Sequence, residues 1–457
     1  MDGQAFDRLA RALGGAMTRR GSLRAAAGGA LAAGAAASLA AKHRRRKPGA
    51  EGPCGDGTRK QNICMKDSEC CTNICNRKTG KRNKDEKGRC RCIRRGGPCK
   101  ENRNCCNTLT CGGGICGGGA PDPTPTPSPI PDVCEVCASG CPYSTVAAAI
   151  AAASAGAIIT IDNGTYNEDL TIDKDLTLKN CNGSAPVLRN LTAGGRTITF
   201  TATAAPWPNV VIDSVTVTSS SGTGNDGGGI KGVANLTLTG TSVVKECQAA
   251  QDGGCIEIGD GTNVVTLTIE GDTIIEDCTT QFGDGGGAFV DSYSNLVVTG
   301  NPVIRNNSAG GGGGGLYTYY GANATLTGGT ITGNTAASDG GGLFCYADST
   351  TLPSLVLGGT VKITGNTATG SNGGGVYLSA AMTSITIDGD AEISGNTAGA
   401  DGGGMYIQSP ATISGNASIT NNSGSGVFGQ GTGALTVTPP AAVTGNTPSN
   451  CTGTVSC

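Results

Sequence analysis

The chain has 457 residues, of which 78 are glycine, 22 are cysteine and only 4% are aromatic. Its formal net charge of -2 conceals an asymmetry, because residues 1–135 carry 25 Lys and Arg against 12 Asp and Glu, which leaves 8 against 23 for the rest. This composition excludes one large core of bulky side chains and predicts a modular chain with a basic front and an acidic body.

The first 41 residues have the features of an export signal. The segment Thr18-Arg19-Arg20-Gly21-Ser22-Leu23-Arg24 resembles the twin-arginine consensus, although Ser22 stands where that family usually has Phe. A weakly apolar Ala/Gly run follows over residues 25–41, and an ordinary Ala-rich helix is the alternative interpretation. We therefore expect an extracytoplasmic protein, secreted or at the cell surface, and no transmembrane anchor, because no later segment is long and apolar enough.

After a basic segment at residues 42–51, cysteines dominate residues 52–116. Twelve of the 22 cysteines lie there, in two sets that share the spacing C…C-x5-CC-x3/4-C…C and occupy residues 52–91 and 92–116. Segments this short cannot fold by apolar burial alone, so we expect disulfide cross-links. Zinc is the competing interpretation, but adjacent cysteine pairs and the lack of nearby His disfavour it.

Each set resembles the inhibitor cystine-knot (knottin) pattern. That resemblance implies first-to-fourth, second-to-fifth and third-to-sixth pairing, although six cysteines admit many other arrangements. The implied pairs are Cys54 with Cys71, Cys64 with Cys75, Cys70 with Cys90, Cys92 with Cys106, Cys99 with Cys111, and Cys105 with Cys116.

A basic loop lies within these modules. Its cations are Lys78, Lys81, Arg82, Lys84, Lys87, Arg89 and Arg91, with Arg94 and Arg95 just beyond. Such a loop would hold an anionic ligand, although a solvated loop that keeps a small domain soluble is an equal alternative. Residues 52–116 contain no aromatic side chain for base stacking, so we expect no specific nucleic-acid recognition. Residues 117–133, with proline at alternate positions, form a semi-rigid linker.

The remaining segment, residues 134–457, opens with a short capping region. An Ala-rich stretch at residues 144–153 predicts a helix with Ser144 as its N-cap. Cys134, Cys137 and Cys141 would bind zinc together with Cys181 or form disulfides, and an exported chain favours disulfides.

Two phrases then repeat along the chain. A glycine phrase such as DGGGLF, Asp339 to Phe344, recurs so that 175 residues separate Asp226 from Asp401 in six steps, a period of about 29. An Ile-x-x-Asn phrase precedes each glycine cluster and places asparagine at 307, 334, 366, 396, 422 and 446, with Cys247 and Cys278 in the two earliest slots. Short alternating runs between them predict about three strands per period, an all-β fold made by stacking.

With these phrases, residues 134–457 resemble the right-handed parallel β-helix proteins, which include pectate-lyase-like proteins and polymorphic outer-membrane or adhesin-type repeats. The resemblance implies three strands per coil, about ten coils, and a short N-terminal capping helix. It does not imply one activity, because this scaffold carries lyases, hydrolases, esterases, adhesins and inert spikes.

Strand alternation predicts a column of aromatic residues that point away from the coil interior. The column consists of Phe289, Tyr317, Phe344, Tyr377, Tyr406 and Phe428. Aromatic faces in a row suit the apolar faces of sugar rings, so we predict a glycan or cell-envelope polymer as ligand. The alternative is a ladder that only stabilises the sheet through contacts between strands.

An acidic column supplies the weak catalytic candidates Asp226, Asp252, Asp284, Asp339 and Asp401. Carboxylates in consecutive coils come near the separation used in glycoside hydrolysis, and such clusters also bind calcium. However, Gly312 and Asn372 interrupt the column, and Asp before Gly is an ordinary turn residue. The Asn column predicts a hydrogen-bonded ladder between coils.

The cysteines of the repeat are expected to be structural. Cys247 and Cys278 are close enough for a disulfide, Cys451 and Cys457 would close the C-terminal end, and Cys255 and Cys345 have no evident partner.

The repeat body lacks His, since His43 is the only histidine, and no Arg/Asp cluster of a lyase is evident. We therefore expect an exported, non-catalytic, adhesin-like β-helix protein that needs no cofactor. A polysaccharide lyase or glycoside hydrolase, and a purely structural spike, are the alternatives.

Overall fold

The computed structural model describes residues 63–64, 75–76, 88–90, 110–112, 115–117, 134–190, 192, 194–219, 226–348, 351–379 and 382–457. The chain divides into two compact units, residues 1–124 and 125–457. The predicted export signal, the basic segment 42–51, the cystine-knot pairings and linker residues 118–133 lie outside what is described.

The first unit contains short antiparallel strands. Strands β1 (Ile63–Cys64), β2 (Cys75–Asn76) and β3 (Gly88–Cys90) form one sheet in the order β1-β3-β2, and β4 (Thr110–Gly112) pairs with β5 (Ile115–Gly117). The register aligns Cys75 with Cys90 and Cys111 with Cys116. The knottin resemblance itself stays a prediction.

The second unit begins with helix α1 (Val146–Ala152). Its N-cap is Thr145 rather than Ser144, because Thr145 has an extended backbone and its Oγ1 accepts a hydrogen bond from the N–H of Ala148 at 3.2 Å. Glu168 accepts hydrogen bonds from the first N–H groups of the helix, at Val146 and Ala147, at 2.9 and 2.8 Å. The buried face of α1 belongs to the same apolar core as the first coil, as predicted for a cap.

Within the described residues, three parallel sheets of 11 strands each run along the coil. Sheet A consists of β7 (Thr165–Asn167), β10 (Val187–Asn190), β13 (Thr216–Ser219), β16 (Val243–Lys245), β20 (Ile274–Glu276), β24 (Val303–Arg305), β28 (Thr330–Thr332), β32 (Lys362–Thr364), β36 (Glu392–Ser394), β40 (Ser418–Thr420) and β43 (Ala442–Thr444).

Sheet B consists of β8 (Leu170–Ile172), β11 (Ile198–Phe200), β14 (Ile230–Gly232), β18 (Ile256–Ile258), β22 (Ala288–Val290), β26 (Leu316–Thr318), β30 (Leu343–Cys345), β34 (Val376–Leu378), β38 (Met405–Ile407), β41 (Val427–Gly429) and β44 (Cys451–Gly453).

Sheet C consists of β6 (Ala157–Ile161), β9 (Leu176–Asn180), β12 (Asn209–Asp213), β15 (Asn235–Thr239), β19 (Thr266–Ile269), β23 (Asn295–Val298), β27 (Asn323–Leu326), β31 (Ser354–Leu357), β35 (Ser384–Ile387), β39 (Ala411–Ile413) and β42 (Leu435–Val437). A narrow strip D joins β17 (Gln248–Ala249), β21 (Thr279–Thr280), β25 (Ser308–Ala309), β29 (Thr335–Ala336), β33 (Thr367–Ala368) and β37 (Thr397–Ala398).

Each coil contributes one strand to each main sheet, so the predicted all-β parallel β-helix of about ten coils is confirmed. Inward side chains stack on their counterparts one coil away, as Ile304, Ile331 and Ile363 do in sheet A. All three are fully buried. A column of small aliphatic residues therefore replaces the bulky core that the composition excludes.

The glycine phrase has a separate physical reason at each position. Gly340 has a left-handed backbone with φ of 67°, a conformation that other residues rarely adopt. At Gly341 and Gly342, a β-carbon would collide with the backbone carbonyls of Gly374 and Gly375 in the next coil. Three consecutive glycines thus let the chain turn into sheet B while the coils stay in contact.

The asparagine column forms the predicted ladder. Each side-chain amide donates to the Oδ1 of the next asparagine, at 2.9 to 3.0 Å from Asn307 to Asn446. Each also donates to a backbone carbonyl of sheet A, as Asn307 does to Ile275 at 3.0 Å. Because the ladder is buried, these bonds satisfy polar groups that would otherwise be costly.

Four disulfides lie within the described residues: Cys134–Cys181, Cys137–Cys141, Cys255–Cys278 and Cys451–Cys457. The preference for disulfides over zinc near the N-terminal cap is confirmed, as is the pairing at the C-terminal end. Cys345 is free and buried.

The suggested Cys247–Cys278 disulfide is wrong. The third glycine of each phrase faces the asparagine slot of the next coil, as Gly287 faces Asn307. Cys255 occupies that glycine slot and Cys278 the facing asparagine slot, so the two are joined. Cys247 faces Gly229, which has no side chain to pair with, and is therefore free and buried.

Candidate functional site

The outer face of sheet B carries one continuous column of side chains from the middle of its strands. Register aligns Lys231 with Glu257 and Glu257 with Phe289, after which the aromatic residues follow coil by coil. We call the aromatic part the aromatic ladder: Phe289, Tyr317, Phe344, Tyr377, Tyr406 and Phe428. The predicted alignment of the six rings is thus confirmed.

The rings of the ladder stack on one another. Successive ring centroids are 5.2, 4.6, 4.5, 5.0 and 5.1 Å apart, with interplanar angles between 4° and 15°. Phe289 and Tyr317 are only 5% and 4% exposed, so a position outside the coil does not make these rings accessible. The faces inside the ladder are covered by neighbouring rings, which is the stabilising arrangement expected of cross-strand aromatic contacts. A ligand role for these six residues stays a prediction.

A second aromatic group lies beside the ladder. Tyr319 follows β26 and Tyr346 follows β30, and their rings stack at 5.4 Å. Tyr319 also contacts Phe289 at 5.8 Å, while Tyr320 lies 6.1 Å from Tyr346. Both Tyr319 and Tyr346 are half-buried.

Tyr293 lies in the adjoining loop of the preceding coil and is 44% exposed. We call Tyr293, Tyr319, Tyr320 and Tyr346 the tyrosine patch. The sequence analysis missed it, although the spacing of two between Tyr317 and Tyr319, and between Phe344 and Tyr346, signals a second outward column.

Glu257 and Lys231 extend the ladder column toward the N-terminal coils. The Nζ of Lys231 lies 2.8 Å from Glu257 Oε2 and 2.8 Å from Asp226 Oδ2. Burial raises the pKa of Glu257 to about 7, against the opposing effect of Lys231. Burial alone would lower the pKa of Lys231, but the two carboxylates more than offset it and raise that pKa.

The predicted acidic column caps backbone groups in the neighbouring coil. Asp252 Oδ1 accepts the N–H of Asp284 at 2.8 Å, and Asp284 Oδ1 accepts the N–H of Gly312 at 2.6 Å. Asp339 Oδ1 accepts the N–H of Asn372 at 2.9 Å in the same way. These bonds are those of structural turn residues.

A catalytic role for Asp226, Asp252, Asp284, Asp339 and Asp401 stays a prediction. Burial and then the nearby Asp284 carboxylate raise the pKa of Asp252. Across the described ranges, no group of three or more His, Cys, Asp or Glu side chains is arranged to hold a metal ion.

Further carboxylates border the tyrosine patch. Asp291 occupies the position after β22 that Tyr319 occupies after β26, and burial raises its pKa. Asp260 interacts electrostatically with Asp291 from the preceding coil, and Asp348 accepts a hydrogen bond from the Tyr320 hydroxyl. Burial alone would raise the pKa of Asp260, but hydrogen bonds from Thr262 and its neighbour lower it.

Stacked parallel strands with one recurring turn phrase per coil define a solenoid repeat protein. Comparison with family models agrees, because residues 208–391 and 267–441 match the right handed beta helix region. The two matches together cover 234 of the 457 residues. The chain belongs to the right-handed β-helix family.

Neither a curated protein nor a solved structure gives a match. Among the residues that the structure describes, none of the helices has the length and apolar character needed to cross a membrane.

Proposed function

We propose that this β-helix protein is exported and binds a glycan or cell-envelope polymer without cleaving it, in the manner of an adhesin. The observation that carries the proposal is the tyrosine patch. Unlike the rings inside the aromatic ladder, its rings are partly exposed, and they lie next to carboxylates that accept hydrogen bonds. Tyrosine rings offer apolar surface to a sugar ring, and the carboxylates would accept hydrogen bonds from its hydroxyl groups.

The rigid scaffold supports this proposal. Tyr319 and Tyr346 come directly after aligned strands, so their separation is fixed by the coil spacing rather than by a long loop. A repeating polymer would meet a binding surface that is itself repetitive. Export is consistent with four disulfides in the second unit and with the twin-arginine-like segment.

A panel of plant and bacterial polysaccharides tests the proposal through affinity electrophoresis of the full chain. We expect retention by at least one glycan, lost when Tyr319→Ala and Tyr346→Ala are combined. Ile158→Ala is the matched control, because Ile158 is 57% exposed on sheet C, away from the patch. Retention that is equal in the double variant and the wild type would refute the tyrosine patch as the site.

A second candidate function is hydrolysis or elimination on a polysaccharide, and Glu257 favours it. A buried carboxyl whose pKa is about 7 is suited to act as a general acid. Release of new reducing ends or unsaturated products by the wild type, abolished in Glu257→Gln, would replace the binding proposal with an enzymatic one. We expect no release.

A further inference from the structure

The tyrosine patch lies in a strongly acidic part of the molecule. Between residues 226 and 348 the sequence has 13 Asp and Glu against 3 Lys and Arg. Asp291 and Asp348 border the patch itself, and Asp260 interacts electrostatically with Asp291 from the preceding coil. Glu257 lies at the end of the adjacent ladder. An approaching ligand therefore meets a negative electrostatic potential.

The three cations of this segment do not offset that potential at the patch. Lys231 is already held by Asp226 and Glu257. Lys245 and Arg305 lie on sheet A, where Arg305 is paired with Glu276 at 2.6 Å. A polyanion would bring its charges next to these carboxylates and would be repelled.

The charges and the rings together select one ligand chemistry. We infer, on the basis of the proposed glycan-binding function, that the ligand is a hexosamine polymer whose sugar units carry protonated amino groups. The pyranose units pack on the exposed parts of the Tyr319 and Tyr346 rings, outside the faces that stack on each other. The ammonium groups are attracted both by the tyrosine rings and by Asp260 and Asp291.

Each part of this arrangement has a distinct consequence. Any pyranose polymer can make the tyrosine contacts, so these contacts contribute affinity but do not distinguish one polymer from another. The negative charge of the carboxylates attracts the ammonium groups but not neutral N-acetyl groups, so it sets the preference for free amines over N-acetylated amines. Since Asp260 is exposed, its contribution is screened by salt, and the preference weakens as ionic strength rises.

Calorimetric titration of the full chain with three hexasaccharides tests this inference: glucosamine, N-acetylglucosamine and galacturonic acid. At about pH 6, where many sugar amines are protonated, we expect the glucosamine oligomer to bind at least about tenfold more tightly than the others. We expect that preference to fall several-fold between about 0.02 and 0.2 M salt.

Variants separate the two contributions. Asp260→Asn combined with Asp291→Asn should weaken binding of the glucosamine oligomer at least about tenfold and leave the N-acetylated oligomer unchanged. Asp260→Asn alone keeps an oxygen for the hydrogen bonds of its loop, which guards against a folding defect. Asp272→Asn, at an exposed turn of sheet C in the same region, is the control and should change nothing.

The outcomes distinguish this inference from the function on which it rests. Equal or tighter binding of the N-acetylated or galacturonic acid oligomer, still dependent on Tyr319 and Tyr346, would overturn the amino-sugar inference and keep the glycan-binding proposal. Absence of binding to all three oligomers and to the polysaccharide panel would overturn both.

Discussion

Replacing one asparagine of the buried ladder is expected to destabilise the coil far more than its size suggests. Asn366 is fully buried and its amide nitrogen donates to Asn396 Oδ1 at 3.0 Å and to the Ile331 carbonyl at 2.9 Å. Its Oδ1 accepts both the backbone N–H and the side-chain amide of Asn334, at 3.0 and 2.9 Å. Asn366→Ala therefore removes four hydrogen bonds and leaves buried groups of Asn334 without an acceptor.

The magnitude follows from those lost acceptors. An orphaned buried polar group costs about 1–3 kcal/mol, and at least two donors of Asn334 lose their acceptor. We expect Asn366→Ala to lower the free energy of unfolding by roughly 4 kcal/mol. The matched control is Asn416→Ala, because Asn416 is exposed and its amide bonds only to Asp390 at 2.9 Å, so its removal should cost less than about 1 kcal/mol.

Urea unfolding followed by circular dichroism measures the difference between these variants. Amide hydrogen exchange adds a local test, since each coil contacts mainly its neighbours and faster exchange should be centred on Asn334 and the adjacent coils. Equal losses of stability in Asn366→Ala and Asn416→Ala would show that the ladder does not stabilise the solenoid.

Two further predictions concern Asp252 and the cysteines of the repeat. Asp252→Asn should raise the melting temperature relative to wild type at about pH 9 but not at about pH 4. The pKa of Asp252 is higher in the folded state than in the unfolded state, so this carboxyl favours folding in acid. That contribution to stability is lost as the pH rises through the folded-state pKa. Asp401→Asn, at an exposed position, should show no such difference, and a pH-independent effect of Asp252→Asn would contradict the assignment. Peptide mapping without reductant should find Cys255 joined to Cys278, and Cys247 should react with alkylating agents only after unfolding, because burial raises its pKa to about 12. A Cys247–Cys278 peptide would contradict the disulfide described above.

The fold could be predicted from sequence because each coil repeats the same local requirements. Glycine at 340 to 342 marks the turn into sheet B, and Ile363 with Asn366 marks the turn out of sheet A. Such positions recur at a nearly constant interval, so a stacked architecture follows without knowledge of any single contact.

The accessibility of the site could not be predicted in the same way. Strand alternation correctly places Tyr317 outside the coil, but it does not say that rings one coil spacing apart cover each other. The half-buried rings of Tyr319 and Tyr346 lie where the alternation continues beyond the strand, and they stack on each other at the margin of the ladder. Glu257 was missed because it is not aromatic, although it occupies the same strand position as Phe289 in the preceding coil.

The Cys255–Cys278 disulfide could have been predicted from two departures from the repeat in the sequence. DGGC at Asp252 to Cys255 departs from the glycine phrase in its third glycine, and Cys278 departs from the Ile-x-x-Asn phrase in the next coil. Two departures in facing slots of adjacent coils indicate a direct contact, whereas Cys247 faces an ordinary glycine.

The most direct test of the central claim compares the affinity of the wild type, the Tyr319→Ala/Tyr346→Ala variant and the Ile158→Ala control for the glucosamine hexasaccharide. We predict that the control binds as the wild type does and that the double variant, with an unchanged melting temperature, loses at least about tenfold in affinity, as expected for two aromatic contacts. Unchanged affinity in a correctly folded double variant would contradict the tyrosine patch as the functional surface of this β-helix.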